Sequence, residues 1–179
     1  MSKATYLDCI GHWNVPADTD DTLALANVII MHEFGDQVNN IGTNMQISKL
    51  GSTLAKAYRK PIICQYPLNQ ARWMRDVDIS YYIERHHRED AYLDTNEVNR
   101  QAAEWCKIGG WKAAIVVAHP HHLWRAGRNL EKHGIKALYP DVSSITYDRY
   151  CSRFALRTPY AFMPREVAAR LLYAKGNLI

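Results

Sequence analysis

Residues 113–126 read AAIVVAHPHHLWRA, and they predict a buried strand that runs directly into a helix. The first half is an unbroken apolar run with several β-branched residues, which is typical of a strand that helices cover on both faces. The second half places Leu123 and Ala126 at helical spacing, and the pattern ends at Gly134, a common helix stop. A strand followed by a helix indicates one unit of an α/β fold.

Apolar runs of the same kind occur at three other places in the chain. They cover residues 27–31, 61–64 and 135–139, and helical patterns cover 43–58, 94–107, 121–133 and 164–175. This alternation predicts an α/β fold in one domain, residues 1–179: a three-layer Rossmann-like sandwich with a mostly parallel sheet. Residues 69–88 and 143–163 fit the alternation poorly, and we expect them to be long loops over the crevice.

Composition excludes several classes of protein. The chain has 179 residues, of which 47% are hydrophobic and 22% charged, so it is not intrinsically disordered. A net charge of +4 from scattered basic residues makes nucleic acid an improbable partner. No apolar run approaches the roughly 20 residues that span a bilayer, and no signal-like segment or C-x-x-C pair occurs. We therefore expect a cytoplasmic protein without membrane contact, and the sequence is compatible with a homo-oligomer.

The polar residues that follow the predicted strands are the first candidates for a site. The carboxyl ends of parallel strands meet at one edge of a sheet, where ligands of such folds bind. Side chains expected at or near this edge are Glu33, Asn44, Gln65, Glu89, Thr95, Glu97, His119, His122 and Arg125.

His122 and Arg125 are the most informative pair. They lie three residues apart in the first turns of a predicted helix, so both can face the same side. The guanidinium offers a planar donor fork suited to carboxylate or phosphate, and the helix N-terminus also attracts anions. An imidazole can donate a proton near neutral pH. The pair therefore predicts an anion clamp with His122 as general acid; the alternative is that the histidines only cap the helix.

The remaining candidates receive supporting roles. Glu33 or Glu89 is the predicted general base or water-positioning group, although a buried Glu33 could equally be a structural acid paired with an arginine. Ligand-binding residues are expected to be Arg125, His119, Asn44, Gln65, Thr95 and Glu97. No metal is predicted, because neighbouring histidines on a helix point in different directions and the chain has no H-E-x-x-H motif.

Two blocks of sequence resemble the YdcF/SanA/ElyC family, bacterial proteins known as a domain of unknown function. Residues 118–126, AHPHHLWRA, are similar to the family's S-x-x-H-M-x-R-A signature and match it at His122, Arg125 and Ala126. Residues 89–97, EDAYLDTNE, are similar to its E-x-x-S-x-N-T-x-E-N block and match it at Glu89, Thr95 and Glu97.

The resemblance implies a Rossmann-like α/β fold with the site in these loops. Some members are membrane-anchored and linked to envelope metabolism, and one is reported to bind S-adenosylmethionine. Two loops depart from the family pattern. Residues 31–35 keep a single glycine, and residues 65–67 read QYP in place of Ser-Gly-Gly, so we expect a bulkier pocket floor.

The first functional hypothesis is an enzyme, a hydrolase or transferase, that acts on a small anionic substrate of phosphorylated or nucleotide-like chemistry. We expect this reaction to require no cofactor. If the protein does bind one, the resemblance suggests S-adenosylmethionine. The second is a module that binds a nucleotide or S-adenosylmethionine without turnover. A third and weaker hypothesis is RNA binding through Arg149, Arg153 and Arg157.

Overall fold

The computed structural model describes residues 6–35 and 42–179. It contains a five-stranded, all-parallel sheet flanked by helices, which confirms the predicted three-layer Rossmann-like α/β fold. The strands are β1 Val28–Met31, β2 Ile62–Gln65, β3 Ile79–Ile83, β4 Ala113–Val117 and β5 Lys136–Leu138. Their order in the sheet is β3-β2-β1-β4-β5, so β1 lies at the centre.

The described ranges also contain seven helices and two short 3₁₀ turns. The helices are α1 Tyr6–Gly11, α2 Asp20–Ala24, α3 Thr43–Tyr58, α4 Tyr66–Asn69, α5 Thr95–Ile108, α6 Pro120–Lys132 and α7 Pro159–Lys175. The 3₁₀ turns are Arg72–Met74 and Phe154–Leu156. The described helices include none with the length and apolar character needed to cross a bilayer.

Local signals explain where the central helices begin and end. Asp94 caps α5, because its carboxylate accepts a hydrogen bond of 2.9 Å from the amide of Glu97. Just beyond the end of α6, Gly134 adopts the left-handed conformation, with φ at 87°, which glycine tolerates best. Helix α3 spans the residues that its apolar spacing predicts.

The unbroken apolar runs are strands buried on both faces. Every residue of β1 and β2 is buried, and β1 pairs with β2 and β4 in parallel register. Met31 faces Val117 across the β1–β4 ladder, and the amide of His32 donates to the Val117 carbonyl at 2.9 Å. The chain therefore leaves these two adjacent strands at the same level, which brings the following residues together.

Two segments differ from the sequence prediction. Residues 69–88, expected to be a loop, contain the edge strand β3, whose half-exposed ISYYI pattern lacks a continuous apolar run. Helix α7 begins at Pro159 rather than Pro164, because Thr158 caps it by accepting a hydrogen bond from the amide of Ala161. The earlier start extends α7 toward the cleft at the carboxyl edge of the sheet.

We predict that Gly127→Ala destabilises the protein by about 1–3 kcal/mol. A Cβ atom at this buried helical position would lie 2.7 Å from Cζ of Tyr139, and a rigid ring cannot yield as a flexible side chain does. Guanidinium unfolding measures the change. The control is Gly11→Ala, whose Cβ would meet nothing within 4 Å. An unchanged midpoint for Gly127→Ala would contradict the close packing of α6 against Tyr139.

Candidate functional site

A cleft opens at the carboxyl edge of the sheet, where the sequence predicts it. Its empty volume is about 840 Å³, with the open mouth included. Five of the predicted site residues line it together: Glu33, Gln65, Thr95, His122 and Arg125. The ends of β1 and β2 supply the first two, and the opening turns of α5 and α6 supply the others. The opposite wall comes from the 3₁₀ turn Phe154–Leu156 and from α7.

Arg125 is held in the cleft wall by a bidentate ion pair. Its Nε and Nη2 donate to the two carboxylate oxygens of Glu166 at 2.9 and 2.8 Å. Its Nη1 donates to Oγ1 of Thr95 at 2.7 Å. The planar face of the guanidinium lies 5.1 Å from the ring centroid of Tyr173. Glu166 therefore occupies the donor fork that the sequence prediction assigned to a ligand anion.

Glu166 is a fully buried carboxylate with two cationic partners. Besides Arg125, it accepts a hydrogen bond of 3.0 Å from Nε of Arg170, one turn further along α7. Burial alone would raise the pKa of Glu166, but the neighbouring His122 and the charge and hydrogen bonds of Arg125 lower it to about 2. The carboxylate is therefore ionised at any physiological pH, and these three residues form a buried triad with one excess positive charge.

His122 is neutral at neutral pH. Burial lowers its pKa, and the adjacent charge of Arg125 lowers it further against the opposing effect of Glu166. Nη2 of Arg125 lies 3.1 Å from Nδ1 of the imidazole. A guanidinium can only donate, so Nδ1 accepts and the ring proton is assigned to Nε2. The neutral ring therefore has a hydrogen-bond donor at Nε2.

His32 is a second neutral imidazole of the cleft, and sequence reasoning did not assign it a role. It follows β1 directly, and its ring packs edge-on against that of His122 with the centroids 5.8 Å apart. Burial, followed by the effects of His122 and Arg125, lowers the pKa of His32 to about 3. Its position immediately after a buried strand is the sequence signal that could have identified it.

Amide side chains fix the loop that follows β1. Oε1 of Gln65 accepts a hydrogen bond of 2.9 Å from the amide of Glu33. Oδ1 of Asn44 accepts one of 2.7 Å from the amide of Phe34. Gln65 also lines the cleft, whereas Asn44 is buried behind it. The two amides thus orient the backbone that carries the Glu33 carboxylate.

Besides Asn44, three predicted residues lie outside the cleft. Glu89 is exposed and borders a separate groove built mainly from residues 81–91. The buried Glu97 binds Arg100 and Gln101, and these hydrogen bonds hold its pKa well below the usual range although burial raises it. His119 stacks on Phe34, with ring centroids 4.0 Å apart, and caps α6 through Nδ1. Glu97 and His119 are therefore engaged in structural contacts.

The far wall of the cleft contributes residues that the sequence analysis did not assign to this site, although it named Arg153 for RNA binding. Arg153 and Arg165 are exposed at its mouth, and Glu166 and Tyr173 lie deeper. All four follow residue 143, in the part of the chain where the alternation of strands and helices is lost. The helical spacing of Glu166 and Arg170 was the signal for an ion pair on α7. Among the described residues, no group of three or more histidines, cysteines and acids could hold a metal ion.

No family model, no curated protein and no solved structure matches this chain. The resemblance of residues 89–97 and 118–126 to the YdcF/SanA/ElyC family therefore stays a prediction.

We predict that the protein loses stability as the pH falls from about 6.5 toward 3. The pKa of His119 is lowered to about 3 by burial and by its neighbouring histidines. Between the two values the unfolded chain binds a proton that the folded protein does not, so acid favours unfolding. His119→Asn removes this proton and keeps an acceptor for the helix cap. The variant should reduce the slope of the unfolding free energy against pH by about 1.4 kcal/mol per pH unit.

Guanidinium unfolding at pH 7, 6, 5 and 4 measures this slope for the wild type and the variant. Equal slopes would mean that His119 takes up its proton in the folded protein, which would contradict its burial.

Proposed function

We propose that the protein is an enzyme that acts on a small anionic substrate, phosphorylated or nucleotide-like, at the carboxyl edge of the sheet. The observation that carries the proposal is the neutral His122, whose proton position is set by Arg125 inside a cleft rich in arginine. Perturbed titratable groups in a cleft are typical of active sites. The resemblance of residues 118–126 to the YdcF/SanA/ElyC signature supports the same assignment.

The charge of the cleft favours an anion. Glu166 balances only one of the two arginines that it binds, and this leaves a positive charge in the wall. Arg153 and Arg165 add two guanidinium groups at the mouth, where they can close on an entering ligand. Bidentate guanidinium contacts match the oxygens of a phosphate. Glu33 and Asp94 also line the cleft and offset part of this charge, so the attraction for an anion is concentrated at the mouth and the far wall.

His122 and Glu33 are the two cleft residues that supply the catalytic groups in this proposal. The Nε2–H group of His122 donates a hydrogen bond to a substrate oxygen and stabilises charge that develops on it. A neutral imidazole acts here as a donor, whereas proton transfer to a leaving group needs the protonated ring. Glu33, at the end of β1, is the carboxylate that accepts a proton from water or from a substrate hydroxyl. These roles fit hydrolysis or group transfer.

The second candidate is a binding protein for a nucleotide or S-adenosylmethionine, without turnover. It is favoured by the aromatic rings of Tyr92, Phe162 and Tyr173 in the lining, since such rings stack on purine bases.

We place the protein in the cytoplasm as part of the same proposal, because Cys64 and Cys106 are buried thiols of the kind that reducing compartments preserve.

We predict that Arg153→Gln and Arg165→Gln each weaken the binding of inorganic phosphate by about tenfold, because each removes a charge-assisted hydrogen bond. Isothermal titration calorimetry at low and moderate salt measures the affinity. The matched control is Arg75→Gln, an exposed arginine outside the cleft lining. Equal affinities for all three variants and the wild type would contradict anion capture at the mouth of the cleft.

We expect the wild type to turn over at least one member of a panel of phosphomonoesters and nucleotides. Glu33→Gln should lower kcat by about 10²–10⁴-fold, the usual contribution of a general base. Phosphate release and mass spectrometry of the products measure the reaction. Ligand binding without product from any member would instead favour the binding protein.

A further inference from the structure

We infer that Arg170 is a positioning residue of the cleft, which couples the N-terminal residues 9–13 to Arg125 and His122 through the Glu166 carboxylate. The inference rests on the proposed function in one respect: the groups that Arg170 positions are those assigned to the substrate anion. Arg170 itself does not line the cleft, so it acts on the site through Glu166, through the first turn of α6 and through its charge.

All three nitrogen atoms of the Arg170 guanidinium donate hydrogen bonds within the protein. Its side chain is completely buried. Nε donates to Oε1 of Glu166 at 3.0 Å, and Nη2 donates to the carbonyl of His121 at 3.1 Å. Nη1 donates to the carbonyls of Cys9 and His12 at 3.1 and 2.7 Å. One guanidinium therefore joins the N-terminal segment, the first turn of α6 and helix α7.

Aromatic rings enclose the guanidinium on the sides where it has no hydrogen bonds. Its central carbon lies 4.4 Å from the ring centroid of Trp13 and 4.9 Å from that of Trp124. His12 stacks on Trp124, with the centroids 5.5 Å apart and the planes 10° from parallel. Desolvated cation–π contacts of this kind stabilise a buried guanidinium and restrict its movement. Residues 12 and 13 thus hold Arg170 against Glu166.

Arg170 and Arg125 share one oxygen of Glu166, and this oxygen connects Arg170 to the cleft. Oε1 of Glu166 accepts from both Arg170 and Nε of Arg125, and Oε2 lies 3.8 Å from Nδ1 of His122. Loss of Arg170 would leave the carboxylate to Arg125 alone and would remove the excess positive charge of the triad. The charged or titratable groups that face His122 are His32 just after β1, His119 and Arg125 beside it on the chain, and Glu166 and Arg170 of α7.

A purely structural role for Arg170 and a positioning role predict different titration behaviour for His122. If Arg170 only filled space, its replacement would change stability and leave the titration of His122 unaltered. If it sets the charge around the triad, its removal should raise the pKa of His122 and weaken anion binding at the same time. The sign follows because Arg170 opposes protonation of the ring, while the unshared carboxylate would favour it.

The test is an NMR titration of the His122 imidazole, assigned by comparison with His122→Gln, together with calorimetry of inorganic phosphate. Arg170→Met should raise the pKa of His122 by about 1 unit and weaken phosphate binding. Arg170→Lys keeps the charge and should shift the pKa less. Trp13→Leu, at a half-buried ring, should change both readouts in the same direction as Arg170→Met. The matched control is Trp73→Leu, a half-buried tryptophan that packs under Arg72 instead.

An unchanged His122 pKa in folded Arg170→Met would overturn the inference. If Arg170→Met does not fold, Trp13→Leu provides the test. A His122 pKa and a phosphate affinity equal to those of Trp73→Leu would then overturn the inference as well. The proposed function fails separately, when the wild type binds neither phosphate nor any phosphomonoester, and in that case the His122 titration still tests the coupling.

Discussion

A carboxylate buried between two guanidinium groups organises this protein around its cleft. Glu166 contacts Arg125 of α6 and Arg170 of its own helix, and Arg125 reaches on to Thr95 at the start of α5. An ionised group in the interior is costly unless it is paired, and breaking such a pair typically costs about 3–5 kcal/mol. The network therefore determines how three helices meet above the carboxyl ends of the strands.

Burial keeps the histidines around this network neutral. It disfavours the imidazolium form of His32, His119 and His122, and the charge of Arg125 disfavours it further at His32 and His122. A cluster of imidazoles that would be partly charged on the surface is therefore neutral here. Neutral rings leave the positive charge of the cleft to the arginines, whose charge does not vary over the physiological pH range.

The topology explains why these groups are neighbours. In the strand order β3-β2-β1-β4-β5, successive crossovers leave β1 in opposite directions, and a crevice forms beside β1 and β4. His32 and His119 follow the ends of β1 and β4 at almost the same level of the sheet. The C-terminal segment then covers the crevice from the other side, so that Arg153, Arg165 and Tyr173 face the strand ends.

Local sequence patterns predicted the strands β1, β2, β4 and β5, the helices α3, α5 and α6, and the placement of His122 and Arg125 at the carboxyl edge. Local signals suffice there, because burial on both faces, capping residues and helical spacing act within a few residues. The packing of the folded protein established that Arg125 binds Glu166, that Glu89 lies in another groove, and that Arg170 joins residues 9–13 to the site. Ion pairs between residues distant in sequence depend on how the helices pack, and no local pattern encodes that geometry.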